Sequence, residues 1–170
     1  MKTTIVGLGL IGGSMAKDLR KNNFVTEIIG VESNQEHARQ AMELGLVDRI
    51  APLEEAVKDI DLEINAIPVD KEIEILPVIL DNIDSGTTVT DMSSTKLKII
   101  ESVKHHKRRK NFVPADPMSG TENSGPTAAL EDLFRDKITI ICDHNETGPQ
   151  HLALVEKMFQ SLGMDIAYMS

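Results

Sequence analysis

Asp116 and Glu122 are the two acids in NFVPADPMSGTENSGP (111–126), a stretch of Gly, Pro, Ser, Thr and Asn that reads as a catalytic loop. It holds no histidine, cysteine or lysine, the groups that commonly move protons near neutral pH. Either the two acids do the chemistry, or the main proton-handling residue has been replaced. A second chemical pattern lies at the other end of the chain, where GLGLIGGS supplies Gly7-x-Gly9-x-x-Gly12. In a dinucleotide-binding turn, Gly7 permits the sharp bend, Gly9 admits a pyrophosphate close to the backbone, and Gly12 lets helix and strand pack tightly. The following helix is expected from Ile11, and its unpaired N–H groups and positive dipole end suit phosphate, with Leu10 and Ile11 expected at the cofactor. Gly13 and Ser14 are expected to extend this small-residue surface. Glu32 lies 20 residues past Gly12, where an acid accepts hydrogen bonds from a ribose diol. A 2′-phosphate there would meet a carboxylate, and Ser33, Asn34 and Gln35 offer no cation. NAD is therefore expected over NADP.

These groups need a scaffold that carries them to one edge. Short apolar runs alternate with helical segments along the chain. Strands are expected at 3–9, 27–32, 47–51, 62–69, 87–93, 111–116, 137–142 and 165–169. Helices are expected at 11–22, 35–44, 53–58, 70–80, 95–105, 126–134 and 148–162. This alternation implies an α/β fold of Rossmann type: a doubly wound, mostly parallel sheet of about eight strands with helices on both faces. The glycine pattern gains weight because it follows an expected strand and opens an expected helix. Glu63 and Asn65 conflict with the picture, since a parallel strand covered on both faces should be almost wholly apolar. A strand edge or a local polar partner would account for them.

The 170 residues suit one domain, and the net charge of −9 argues against a general nucleic-acid or membrane-surface role. The single Cys142, in KITIICD, reads as a small core residue. No apolar run reaches the length of a membrane span, and the N-terminus enters a strand with no signal peptide, so a cytoplasmic address is expected. No metal is expected. The basic run KHHKRRK (104–110) reads as a helix C-terminus and a solvated turn.

GLGLIGGSMAKDLR, DMSSTK (91–96) and DPMSGTENSG (116–125) together resemble the prephenate dehydrogenase family of tyrosine biosynthesis, in its N-terminal nucleotide-binding domain, over the whole chain. The resemblance implies an NAD-dependent oxidative decarboxylation of prephenate to 4-hydroxyphenylpyruvate, or the corresponding reaction of arogenate. It places Ser94 at the family's active-site serine and Thr121 and Glu122 along the substrate pocket, with Ser119 where a small residue is usual. Ile67 and Pro68 fall on the segment that packs along the cofactor, and Ser94 is expected to touch the cofactor as well as the substrate. Asp116 falls where the family has its catalytic histidine, and Ser93 where it has glycine. An aspartate near its ordinary value of about 4 is a weak base at neutral pH. About 4 Å from a substrate carboxylate, it would add a repulsion of roughly 4 kcal/mol at an effective dielectric near 20. The family continues into a helical domain that dimerises and supplies an arginine to the substrate. With that domain absent from these 170 residues, a monomer or weak dimer is expected, and Arg135 is the nearest substitute arginine. A non-catalytic NAD-binding module is the alternative. A different small-acid dehydrogenase would need a lysine in a second, helical domain.

Overall fold

The computed structural model describes residues 1–118 and 125–170. Six parallel strands form the main sheet: β1 (Lys2–Val6), β2 (Glu27–Val31), β3 (Arg49–Ile50), β4 (Leu62–Asn65), β5 (Thr88–Asp91) and β6 (Phe112–Val113), in the order β3-β2-β1-β4-β5-β6. Helices α1 (Leu10–Lys21) and α6 (Pro149–Ser161) cover one face, where Met15, Leu19, Met158 and Phe159 pack on Ile5, Leu62 and Ile64. Helices α4 (Val69–Asn82) and α5 (Leu97–Val103) cover the other, with Leu76, Leu80, Ile99 and Val103 on Ile29, Val89 and Phe112. Helices α2 (Gln35–Glu43) and α3 (Leu53–Ala56) flank β3. The strand order reverses between β1 and β4, and the carboxyl ends of strands at such a switch point form a ligand crevice.

The expected strand at 111–116 is two strands. Pro114 has no N–H to give a ladder, and its carbonyl accepts from Cys142 N at 2.9 Å. The chain therefore leaves the parallel sheet after Val113 and enters a second sheet. There β7 (Ala115–Pro117) pairs antiparallel with β8 (Ile138–Cys142), which pairs parallel with β9 (Asp165–Met169). Cys142 is half-buried in β8, not a core residue.

No helix spans 126–134. A 3₁₀ turn at Pro126–Ala128 leads into turns, and Asp132 and Asp136 take left-handed backbone (φ 57° and 62°) that a helix does not tolerate. The segment is strapped to α1 instead. Ser14 Oγ accepts from Leu130 N at 3.0 Å, and the Asp18 carboxylate accepts from Asp132 N at 3.1 Å. Gly13 faces Ala129 so closely that an added Cβ would sit 3.1 Å from the Ala129 methyl. Gly13 and Ser14 thus hold the strap against α1. The basic run is only partly solvated: His106 is half-buried against Asp81, and Arg109 is buried, donates to Phe112 O at 2.8 Å and pairs with Asp143 at 2.7 Å.

Candidate dinucleotide and substrate site

The glycine turn is built for close approach. Gly7 has φ +94°, and a Cβ on it would lie 2.3 Å from the Ala66 carbonyl oxygen. A Cβ on Gly12 would lie 1.9 Å from Gly7 O, so helix and strand touch there without side chains between them. Gly9 differs from both: nothing lies within 4 Å of its Cβ position, so its backbone faces open space. It also caps α1, whose N-terminus has no side-chain hydrogen bond. The first-turn N–H groups, among them those of Leu10 and Ile11, remain available to an anion.

Glu32 leaves β2 beside this turn. Its Oε1 accepts from Leu8 N at 2.8 Å and its Oε2 from Asn34 N at 3.0 Å, which fixes the carboxylate. Each oxygen keeps lone-pair capacity for a diol. Gly7, Gly9, Glu32, Ile67 and Pro68 line one crevice of about 510 Å³ between β1, β2 and the start of α4. These residues fit a dinucleotide: an open backbone approach, an uncapped helix end and an anchored acceptor. His37 from α2 and Lys71 from α4 also line the crevice. Sequence reading missed both, because each reaches the site from the turn of a helix with no local motif.

The other sequence-assigned residues cluster around the end of β5. Ser94 is exposed in the turn after β5, and Asp116 is half-buried on β7. Asp91 joins the two places. Its Oδ1 accepts from Ala115 N at 3.0 Å, while Oδ2 is ion-paired with Lys96. Burial pushes the Asp116 carboxyl up, the Lys96 ammonium opposes that, and Asp91 adds to it. Lys96 was legible in DMSSTK but drew no role there. Neither Ser94 nor Asp116 lines the nucleotide crevice. Ser119, Thr121 and Glu122 lie outside the described residues. Arg135 is exposed and pairs with Asp132, away from Asp116's partners.

Glu63 and Asn65 are not at a strand edge: β4 is central, and both side chains are fully buried. Asn65 Nδ2 donates to Glu63 Oε2 at 3.2 Å, so each is the other's local partner. A second concavity of about 470 Å³, between α5 and the segment 143–146, has a mixed-charge lining and none of the fingerprint residues. No helix among the described residues is long and apolar enough to cross a membrane.

A doubly wound sheet with a glycine turn, an uncapped helix and an acid after β2 defines a dinucleotide-binding domain of Rossmann type. The family model for the prephenate dehydrogenase nucleotide-binding domain matches residues 15–168, and the chain belongs to that family. That match begins beyond the glycines, so the fingerprint supports it independently. The chain is 33% identical to prephenate dehydrogenase of Bacillus subtilis over all of its own length and 47% of that protein's. It superposes along 100% of its length, with a TM-score of 0.91 and 31% identity, on 60% of an A. aeolicus prephenate dehydrogenase in complex with hydroxyphenyl propionate and NAD+. It is also similar to Synechocystis arogenate dehydrogenase, at a TM-score of 0.88 and 29% identity over 99% of this chain and 59% of that one. The chain spans about half the length of the curated relatives it matches.

Proposed function

We propose that this chain is the NAD-binding part of an oxidative decarboxylase acting on prephenate or arogenate. The full-length likeness to an enzyme bound to NAD+ and a hydroxyphenyl ligand supports this most directly. NAD would accept a hydride from the ring carbon that bears the substrate hydroxyl. The first turn of α1 would hold the pyrophosphate and Glu32 the adenosine ribose, while Ile67 and Pro68 would pack along the cofactor. Ser94 hydrogen-bonds the substrate hydroxyl, and Asp116 takes its proton. The ring then loses its carboxylate as CO2 and becomes aromatic, which drives the reaction, and Asp116 returns the proton to the phenolate oxygen. Lys96 places a cation beside Asp116 and so offsets the carboxylate's repulsion of an anionic substrate. Ser119, Thr121 and Glu122 belong to the substrate side of this reading, and the groups that bind the substrate carboxylates are proposed to come from a helical region like that of the longer relatives.

Asp116 at the expected histidine position favours a second reading, in which the chain binds the dinucleotide without turnover. Calorimetry with both cofactors, followed by assay for 4-hydroxyphenylpyruvate from prephenate and for tyrosine from arogenate, separates the two. NAD is expected to bind at least about tenfold more tightly than NADP, a difference of about 1.4 kcal/mol. Equal affinities would remove Glu32 from the ribose. Tight NAD binding with no product from either substrate, in the chain joined to a relative's helical region, would establish the second reading.

A further inference from the structure

Alternation along β4 puts Leu62 and Ile64 in the α1 core and turns Glu63 and Asn65 to the opposite face, beneath α4. Glu72, in the first turns of α4, is also fully buried and accepts from Ser93 Oγ at 2.7 Å. Asp91 is the register partner of Asn65 on β5, and the cation that meets this group is Lys96 of the β5–α5 turn, already paired with Asp91. Beyond them, Asp116 of β7 lies within the field of both Asp91 and Lys96. Three carboxyls, one amide and one ammonium therefore share a buried space.

The hydrogen bonding does not close if the acids are ionised. Glu63 Oε1, Asn65 Oδ1 and Glu72 Oε2 are buried and have no partner among the described residues. All three are acceptors, and buried acceptors without donors are costly. No group of three or more His, Cys, Asp or Glu side chains among the described residues is arranged to hold a metal ion. A proton on each glutamate converts two of the orphan oxygens into donors. Burial, then the charges of Glu72 and Asp91, push the Glu63 carboxyl well up; burial, then Asp91, lift Glu72 to about 9 against the Ser93 hydrogen bond.

The position of this group gives it a consequence. Asn65 runs directly into Ala66, Ile67 and Pro68 of the crevice wall, Glu72 follows Lys71 of the same wall, and Ser93 precedes Ser94. We propose that Glu63 and Glu72 form a proton-loaded tie that binds the wall of the dinucleotide crevice to the turn carrying Ser94, and that alkaline pH releases it. This rests on the crevice being the dinucleotide site, but not on the choice of substrate. Ionisation strengthens the bond that Ser93 gives to Glu72, but it also gathers the like charges of Glu63, Glu72 and Asp91 in one cavity beside the place where an anionic dinucleotide sits, and that repulsion outweighs one bond. The wall loosens and the cofactor is repelled.

The test is thermal unfolding and NAD calorimetry of the full chain from pH 5.5 to 10 at fixed ionic strength, for the parent, Glu63→Gln, Glu72→Gln and the double variant. A carboxyl raised on folding keeps its proton in the folded chain after the unfolded chain has lost it. Stability then falls as pH rises from the ordinary carboxyl range to about 9, and levels off once the folded form ionises. The parent is expected to lose at least about 5 °C across that window. Its NAD affinity should drop at least about fivefold between pH 8 and 10, the low end of ordinary site coupling. Each Gln variant should flatten both curves. A double variant that tracks the parent in both readouts overturns the tie. So does a parent stabilised at pH 9 by sodium, magnesium or calcium, with the effect lost in Glu72→Gln, since a cation would then hold the group. If the Gln variants do not fold, infrared titration of the parent's carboxyls decides: all of them ionising in the ordinary range refutes the proposal. If NAD binds at no pH, the dinucleotide reading fails, and the stability curves still decide whether the glutamates hold protons.

Discussion

Asp116 and the fingerprint glycines make the sharpest statements at the scale of single residues. Asp116 is half-buried with its carboxyl pushed up, which brings it toward a useful base without giving it the reach of an imidazole. Asp116→His, in the chain joined to a relative's helical region, should oxidise prephenate at least about 100-fold faster, the ordinary worth of general acid–base help. Its NAD affinity should stay within about twofold, because residue 116 is not in the crevice lining. A parent already as fast as the variant would make Asp116 a competent base. The glycines allow a cleaner separation. Gly9 has φ −82° and open space at its Cβ position, so Gly9→Ala should fold normally and lose NAD affinity about tenfold or more by crowding the pyrophosphate. Gly12→Ala drives a methyl to 1.9 Å from Gly7 O and should lose about 2 kcal/mol or more of stability as well. Denaturant melts beside NAD titrations check both. Equal stability losses in the two variants would contradict the assigned roles.

At the scale of elements, the strap at 125–134 is the least expected feature. It has helical composition but no helix, because α1 offers it better partners than its own backbone does. Ser14, Asp18 and Lys17 of α1 all bond its main chain. Ser14→Ala would orphan the Leu130 N–H in a partly buried place. It should cost about 1–2 kcal/mol in urea unfolding and speed hydrogen exchange at Leu130. Unchanged exchange at Leu130 would mean that the strap is held by apolar packing alone. The split at Pro114 has a similar origin. A residue with no N–H cannot continue the ladder, so the chain changes sheet there and carries Asp116 onto a strand of its own.

At the scale of the whole molecule, charge and exposed surface set the behaviour in solution. The net charge of −9 opposes self-association at low salt. Against it, Met118, Ile138, Tyr168 and Met169 are exposed in or beside the second sheet, at 58%, 48%, 46% and 55%. Exposed apolar side chains on one sheet favour contact with other surfaces. This chain should sediment mainly as a monomer at micromolar concentration, with weak association that grows with salt and is removed by Ile138→Lys. A tight, salt-independent dimer would show an interface elsewhere.

The sequence alone determined the alternation of strands and helices, the glycine turn and its acid, and the likeness to the family, because each of these is local or periodic. Gly7, Gly9, Gly12 and Glu32 could be read in advance since a nucleotide turn is one continuous strand–turn–helix unit. The tertiary structure alone decided what depends on residues meeting from distant segments. It set Gly13 and Ser14 against the strap, brought His37 and Lys71 into the crevice, and set Lys96 on Asp91 near Asp116. It also gathered Glu63, Asn65, Glu72 and Asp91 from β4, α4 and β5 into one buried group. No spacing rule reports that meeting, because a side chain's charge state follows from the dielectric and the neighbours that folding places around it.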